Sequence, residues 1–151
     1  VRINLVIIVK LVIMYYIKFK MKNTIFKLLE YSYYFSLIIL LVLYLFPGSL
    51  LGYFLYGNLG QQPDLISNPI GTSINHLIFF VCLSTLGLTV RLIRGKNFLN
   101  SFTFLFSLSI IFELSHWIIP NRAFEYYDLF ANSLGVAIAY LLINIFSRLK
   151  N

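Results

Sequence analysis

The chain has 151 residues, of which 60% are hydrophobic and 11% charged, against about 45–50% and about 25% in an ordinary soluble domain. A chain this short cannot hide so much apolar surface in one aqueous core; a soluble globular enzyme is not expected, a disordered chain is excluded, and the bilayer is the natural solvent. The formal charge of +7 alone would point to nucleic acid, so the placement of the charges has to decide.

Residue 1 is valine, and Met21 opens MKNTIFKLLEYSYYF, an ordinary start for a small membrane protein. Residues 1–20 are apolar but interrupted by Lys10. The stretch from Ile3 to Ile17 is shorter than the roughly 20 residues of a spanning helix and lacks a small-residue cleavage site. We read residues 1–20 as a doubtful leader from a mis-assigned start, with an interfacial helix as the alternative.

Four later segments are long enough to cross: Leu28–Phe46, Ile74–Leu92, Phe98–Ile119 and Tyr127–Phe146. The expected fold is all-α, a polytopic bundle of four transmembrane helices. Pro47-Gly48 ends the first span. The connection to Ser73 is rich in Gly, Pro, Asn and Gln, which predicts an irregular loop with its Tyr and Phe at the interface. The second connection, Arg91 to Lys96, is short and basic, and the third, Pro120 to about Tyr126, carries mixed charge. Cys82 lies within an apolar run, and a single cysteine excludes a disulfide framework or multi-cysteine metal site. There is no internal repeat and no second domain.

The basic residues sort by side. Lys18, Lys20, Lys22 and Lys27 precede the first span; Arg91, Arg94 and Lys96 separate the second from the third; Arg148 and Lys150 follow the fourth. Only Arg122 belongs to the opposite side. This positive-inside pattern predicts that both termini are cytoplasmic. Most of the positive charge then sets topology, and no nucleic-acid partner is expected.

Once the inner flanks are removed, the ionisable residues left are His76, Glu113, His116, Arg122, Glu125 and Asp128, at the outer ends of the last three spans, with Asp64 in the loop. Glu113 precedes Pro120 by seven positions, which places it about 10 Å inside the helix end. A carboxylate there costs a few kcal/mol or more unless paired, protonated or facing a wet cavity. His116 follows at i+3 on the same face. A second Glu-x-x-His, which a di-metal bundle needs, is missing. A mononuclear site from His76, Glu113, His116 and Asp128 is chemically feasible, although no metal or other cofactor is assigned. The plainer alternative is that Glu113 pairs with Arg122 or hydrogen-bonds His116 and only holds the bundle together.

In the fourth span Asp128, Asn132, Gly135 and Ala139 form one stripe. Gly135 and Ala139 suit close helix packing, Asp128 suits a helix start, and Asn132 needs a partner in the bundle. His76 shares a face with Phe80, Leu83 and Gly87. Trp117, Tyr126 and Tyr127 match an outer aromatic belt. Arg122 either pairs with Glu125 or reaches an outer phosphate or carboxylate.

These residues, in this order, resemble the VanZ-like family of small bacterial membrane proteins. The resemblance rests on His76 with Phe79 and Phe80, on Glu113-Leu-Ser-His116, and on the Arg122-x5-Asp128-x3-Asn132-x2-Gly135 run. It covers about Leu28 to Phe146, within a domain taken as residues 21–151. The chain departs from the pattern at Thr72 and Ser73, where the family often has Asp-Lys, at His116 in place of glutamine, and at Ala139 in place of glycine. The resemblance implies a multi-pass protein of the bacterial cytoplasmic membrane, with the founding member linked to teicoplanin resistance. It leads to a non-enzymatic envelope protein that binds a lipid, glycopeptide or lipid-linked envelope precursor through His76, Glu113, His116, Arg122, Asp128 and Asn132. The alternatives are an intramembrane enzyme using Glu113 and His116 with His76, and a small transporter or proton relay, which would need a homo-oligomer.

Overall fold

The computed structural model describes residues 5–63, 73–95 and 97–150; Asp64, Thr72 and Lys96 lie outside the described residues. All regular elements among these residues are helical. In chain order they are α1 (Leu5–Leu45), α2 (Leu50–Tyr56), α3 (Ser73–Arg94), a 3-10 turn (Phe98–Asn100), α4 (Phe102–Ser115) and α5 (Tyr126–Lys150). Three helical stretches are long and apolar enough to cross a membrane: Met14–Leu45, Ser73–Arg94 and Tyr126–Leu149. The fourth, α4, is apolar but shorter.

The first helix is longer than the apolar span expected from Leu28. No Gly or Pro interrupts residues 5–45, and lysine is a good helix former, so the helix runs through the basic stretch. Its 32 residues from Met14 to Leu45 rise about 48 Å, against about 30 Å of hydrocarbon. The helix is thus longer than a hydrocarbon core requires.

The third expected span, Phe98–Ile119, is divided. The Asn97 side chain accepts from the Leu99 N–H, and Asn100 accepts from the Asn97 N–H. Ser101 then accepts from the Phe104 N–H and starts α4. Two successive polar caps thus close a 3-10 turn and open a new helix. At the other end Pro120 disfavours helical backbone at Ile119, and Asn121 turns with a φ of 59°. The 14 residues of α4 rise about 21 Å, so this helix alone does not cross.

The first connection, expected to be irregular, contains α2. Ser49 caps it by accepting from the Gly52 N–H at 2.9 Å. The returning chain passes so close that a Cβ on Gly52 would lie 1.6 Å from the carbonyl oxygen of Gln61, which only glycine avoids. Tyr53, Phe54 and Tyr56 remain exposed.

Helix α3 is the centre of the bundle, packed chiefly on α5 and next on α1. His76, Phe80, Leu83 and Gly87 are all buried along it. Opposite, a Cβ on Gly135 would meet the Leu77 carbonyl oxygen at 2.8 Å, so α3 and α5 touch backbone to backbone there. Ala139 and Val136 are fully buried in the same seam. The alternating helix directions bring the C-termini of α1 and α4 and the N-termini of α3 and α5 to one end. The other end holds Arg91, Arg94 and Arg148.

Candidate functional site

The converging helix ends bury an unusual amount of polarity. His76, Glu113, His116, Asp128 and Asn132 are each at most 4% exposed. The fold joins them through a residue that motif spacing passes over, Tyr44 near the end of α1. Its hydroxyl lies 2.7 Å from His76 Nδ1 and 2.7 Å from Asn132 Oδ1. Its ring stacks on Phe112 at 5.0 Å and on His116 at 5.6 Å between centroids. Within a run of Leu, Ile and Phe, a tyrosine near a span end resembles an interface residue. Only its burial, with 5% exposure, sets it apart from Tyr53 or Tyr126.

Glu113 sits in the last turn of α4, where Pro120 ends the helical stretch early enough for the chain to fold back over it. Its Oε1 faces His116 Nδ1 at 3.3 Å and accepts the Glu125 N–H at 3.1 Å. Its Oε2 accepts from Asn132 Nδ2 at 3.4 Å. Asp128, in the first turn of α5, accepts from the Ser73 hydroxyl at 2.5 Å, and its other oxygen lies 3.3 Å from His76 Nε2. Ser73 stands where the resembling pattern often has lysine, so a neutral donor meets Asp128 here. The Gln62 amide reaches His76 Nε2 at 3.3 Å, and Asn75 ties the loop down by donating to the Pro63 carbonyl at 2.7 Å.

Arg122 forms no ion pair with Glu113 or Glu125 among the described residues. Its Nη2 donates to the Leu43 carbonyl at 2.6 Å and its Nε to the Phe46 carbonyl at 3.3 Å. It caps the C-terminus of α1, where free carbonyls and the helix dipole favour a cation. Burial lowers its pKa from the ordinary arginine value, opposed by Tyr44, Glu113 and Asp128, and guanidinium remains charged all the same. Glu125 is raised above the usual carboxylate range, first by desolvation and then by the charges of Asp128 and Glu113. Trp117, Tyr126 and Tyr127 are exposed at this end.

The buried cluster opens into a cleft of about 180 Å³ bordered by His76, His116, Asp128, Arg122, Glu125 and Gln62. A smaller recess on the other side of His76 and Arg122 reaches Leu43 and Phe79. From those two residues a groove of about 190 Å³ continues between α1 and α3 past Leu40, Cys82 and Leu86. The structure thus brings together all six residues expected to bind a ligand, while Gly135 and Ala139 lie deeper in the α3–α5 seam. His76, Glu113 and Asp128 each offer an atom within 4.8 Å of the others.

The family model of VanZ/LLP1 matches residues 6–147. The chain belongs to the VanZ/LLP1 family. No match was found among curated proteins or solved structures. The family match covers four of the helices that build the cluster, and the long apolar helices fit a membrane protein.

Proposed function

We propose that this VanZ/LLP1-family membrane protein binds an amphiphile, a lipid or lipid-linked envelope precursor, at the polar end of its bundle. The observation that carries this reading is the continuity at Leu43 and Phe79. These two residues border both the recess beside His76 and Arg122 and the almost wholly apolar groove between α1 and α3. A head group held near Arg122 leaves its acyl chain room along that groove. Polar groups set orientation while apolar surface supplies affinity, as in most small-molecule sites. The positive-inside distribution supports an outward-facing site in the cytoplasmic membrane of a bacterium. A bound precursor there would alter glycopeptide access, so teicoplanin susceptibility is the cellular readout.

The test compares lipids retained by wild type and Phe79→Trp, purified in mild detergent and analysed by mass spectrometry. Wild type retains a defined amphiphile, and the bulky indole at the junction reduces it at least tenfold while the protein keeps its unfolding temperature. Identical lipid profiles would overturn the reading. In a susceptible host, teicoplanin sensitivity equal to that of the empty vector would remove the glycopeptide link.

A second reading, an intramembrane enzyme acting on a lipid-linked substrate, is favoured by the approach of His76, Glu113 and Asp128. Glu113 would act as base, with His116 and His76 as proton partners. Turnover of candidate lipids by wild type and its loss in Glu113→Gln would support it.

A further inference from the structure

The hydrogen-bond directions in the cluster follow from one another. The Glu113 carboxylate, when ionised, only accepts, so the Asn132 amide nitrogen turns toward it at 3.4 Å. The Asn132 oxygen is then left facing Tyr44, whose single O–H proton must donate to it at 2.7 Å. Having spent that proton, the Tyr44 oxygen can only accept from His76 Nδ1, 2.7 Å away. Nδ1 therefore carries hydrogen, and in the neutral ring Nε2 carries a lone pair. The Gln62 amide approaches that same Nε2 at 3.3 Å as a donor would.

The lone pair faces Asp128 Oδ2, another acceptor, at 3.3 Å. Charge-assisted N–H···O bonds are shorter, about 2.7–2.9 Å. The edge of a tetrahedron built on zinc bonds of about 2.0–2.2 Å is about 3.4 Å. Glu113 adds a second carboxylate within 4.8 Å of both. Two buried carboxylates this close call for positive charge, and the nearest guanidinium, Arg122, is held by main-chain carbonyls of α1. One more observation points to a ligand. His116 is 3% exposed, its Nδ1 is taken up by Glu113, and its Nε2 has no hydrogen-bond partner among the described residues although His116 borders the same cleft.

We infer that His76 Nε2, Asp128 Oδ2 and Glu113 form a binding site for a divalent transition-metal ion at the inner end of the cleft. Imidazole with carboxylates suits zinc and its neighbours. Three protein ligands leave a fourth position for water or an anionic head group. Tyr44 accepts from the non-ligating nitrogen of His76 and Asn132 orients Glu113, the support that metal ligands ordinarily receive. Gln62, an exposed loop side chain, yields Nε2 to the ion. The site does not depend on the amphiphile proposed above, because all its ligands belong to the chain.

The experiment uses the full chain in mild detergent, stripped with chelator and titrated with Zn²⁺ and, for its visible spectrum, Co²⁺. Wild type binds one Zn²⁺ per chain, and Co²⁺ develops the bands of a nitrogen–oxygen site. His76→Ala abolishes saturable binding. Tyr44→Phe keeps the ring that stacks on Phe112 and His116 and weakens binding about 10–100-fold. Glu30→Gln, at the opposite end of the bundle, binds as wild type does. Folded wild type with no saturable Zn²⁺ binding would overturn the inference and leave His76 to its hydrogen bonds with Tyr44 and Gln62. Zn²⁺ affinity unchanged in Tyr44→Phe and His76→Ala would equally overturn it, and if His76→Ala does not fold, Tyr44→Phe decides. Metal retained while Phe79→Trp leaves the lipid profile unchanged rejects the amphiphile and spares the ion.

Discussion

The two ends of this bundle handle charge in opposite ways. At one end Glu30 meets Arg94 at 3.4 Å with both side chains about a third exposed (33% and 31%). Tyr33 donates to the Leu99 carbonyl, and Asn97 and Asn100 cap each other across the 3-10 turn. The Glu30–Arg94 pair is open enough for water and lipid head groups to replace it. At the other end Glu113 and Asn132 are fully buried; besides His116 at i+3, Glu113 finds its partners in the Glu125 N–H and in Asn132 of α5. Basic residues at a helix end need only an interface to lie in. Acidic and histidine residues inside the bundle need a constructed environment, and the second end supplies one.

Breaking the buried end should have the largest effect. Asn132→Leu leaves the Tyr44 O–H without its acceptor and one oxygen of Glu113 without its donor. Each buried unsatisfied group costs about 1–3 kcal/mol, so a loss of about 2–6 kcal/mol is expected, seen as a marked fall in unfolding temperature in detergent. No fall would mean that the network is already solvated. Next comes the seam that supports this end. Gly135→Val forces a side chain against the α3 backbone, with an expected cost of about 1–3 kcal/mol, read in the same melt. A neutral result would show that α3 and α5 separate freely. The smallest effect belongs to the exposed pair: Glu30→Gln should cost at most about 1 kcal/mol, and less at high salt. A larger loss would erase the contrast between the ends.

Legibility in the sequence followed the same division. Glu113, His116 and Asp128 stand out because charges are rare in apolar segments, and their common side follows from counting spans. The stripe from Asp128 to Ala139 follows from helical period alone. Tyr44 does not stand out, since an aromatic residue at a span end is ordinary until its hydroxyl is seen to be buried. Arg122 was legible as the lone cation on its side. Its partners were not, because they are main-chain carbonyls at the end of α1, and side-chain pairing rules do not register them. The division of the third span was hidden too: Asn97, Asn100 and Ser101 are short polar residues whose capping competes with continuous helix.

Composition and periodicity by themselves determined that this chain is helical, that it belongs in a membrane, and which residues carry its few charges. Those properties depend on solvent preference and on neighbours along one helix. Tertiary structure alone decided that Tyr44 connects His76 to Asn132, that Arg122 caps α1, and that two carboxylates and an imidazole approach one point. Such contacts join residues 32 to 88 positions apart, and no local rule ties their hydrogen-bond directions together until the four helix ends meet.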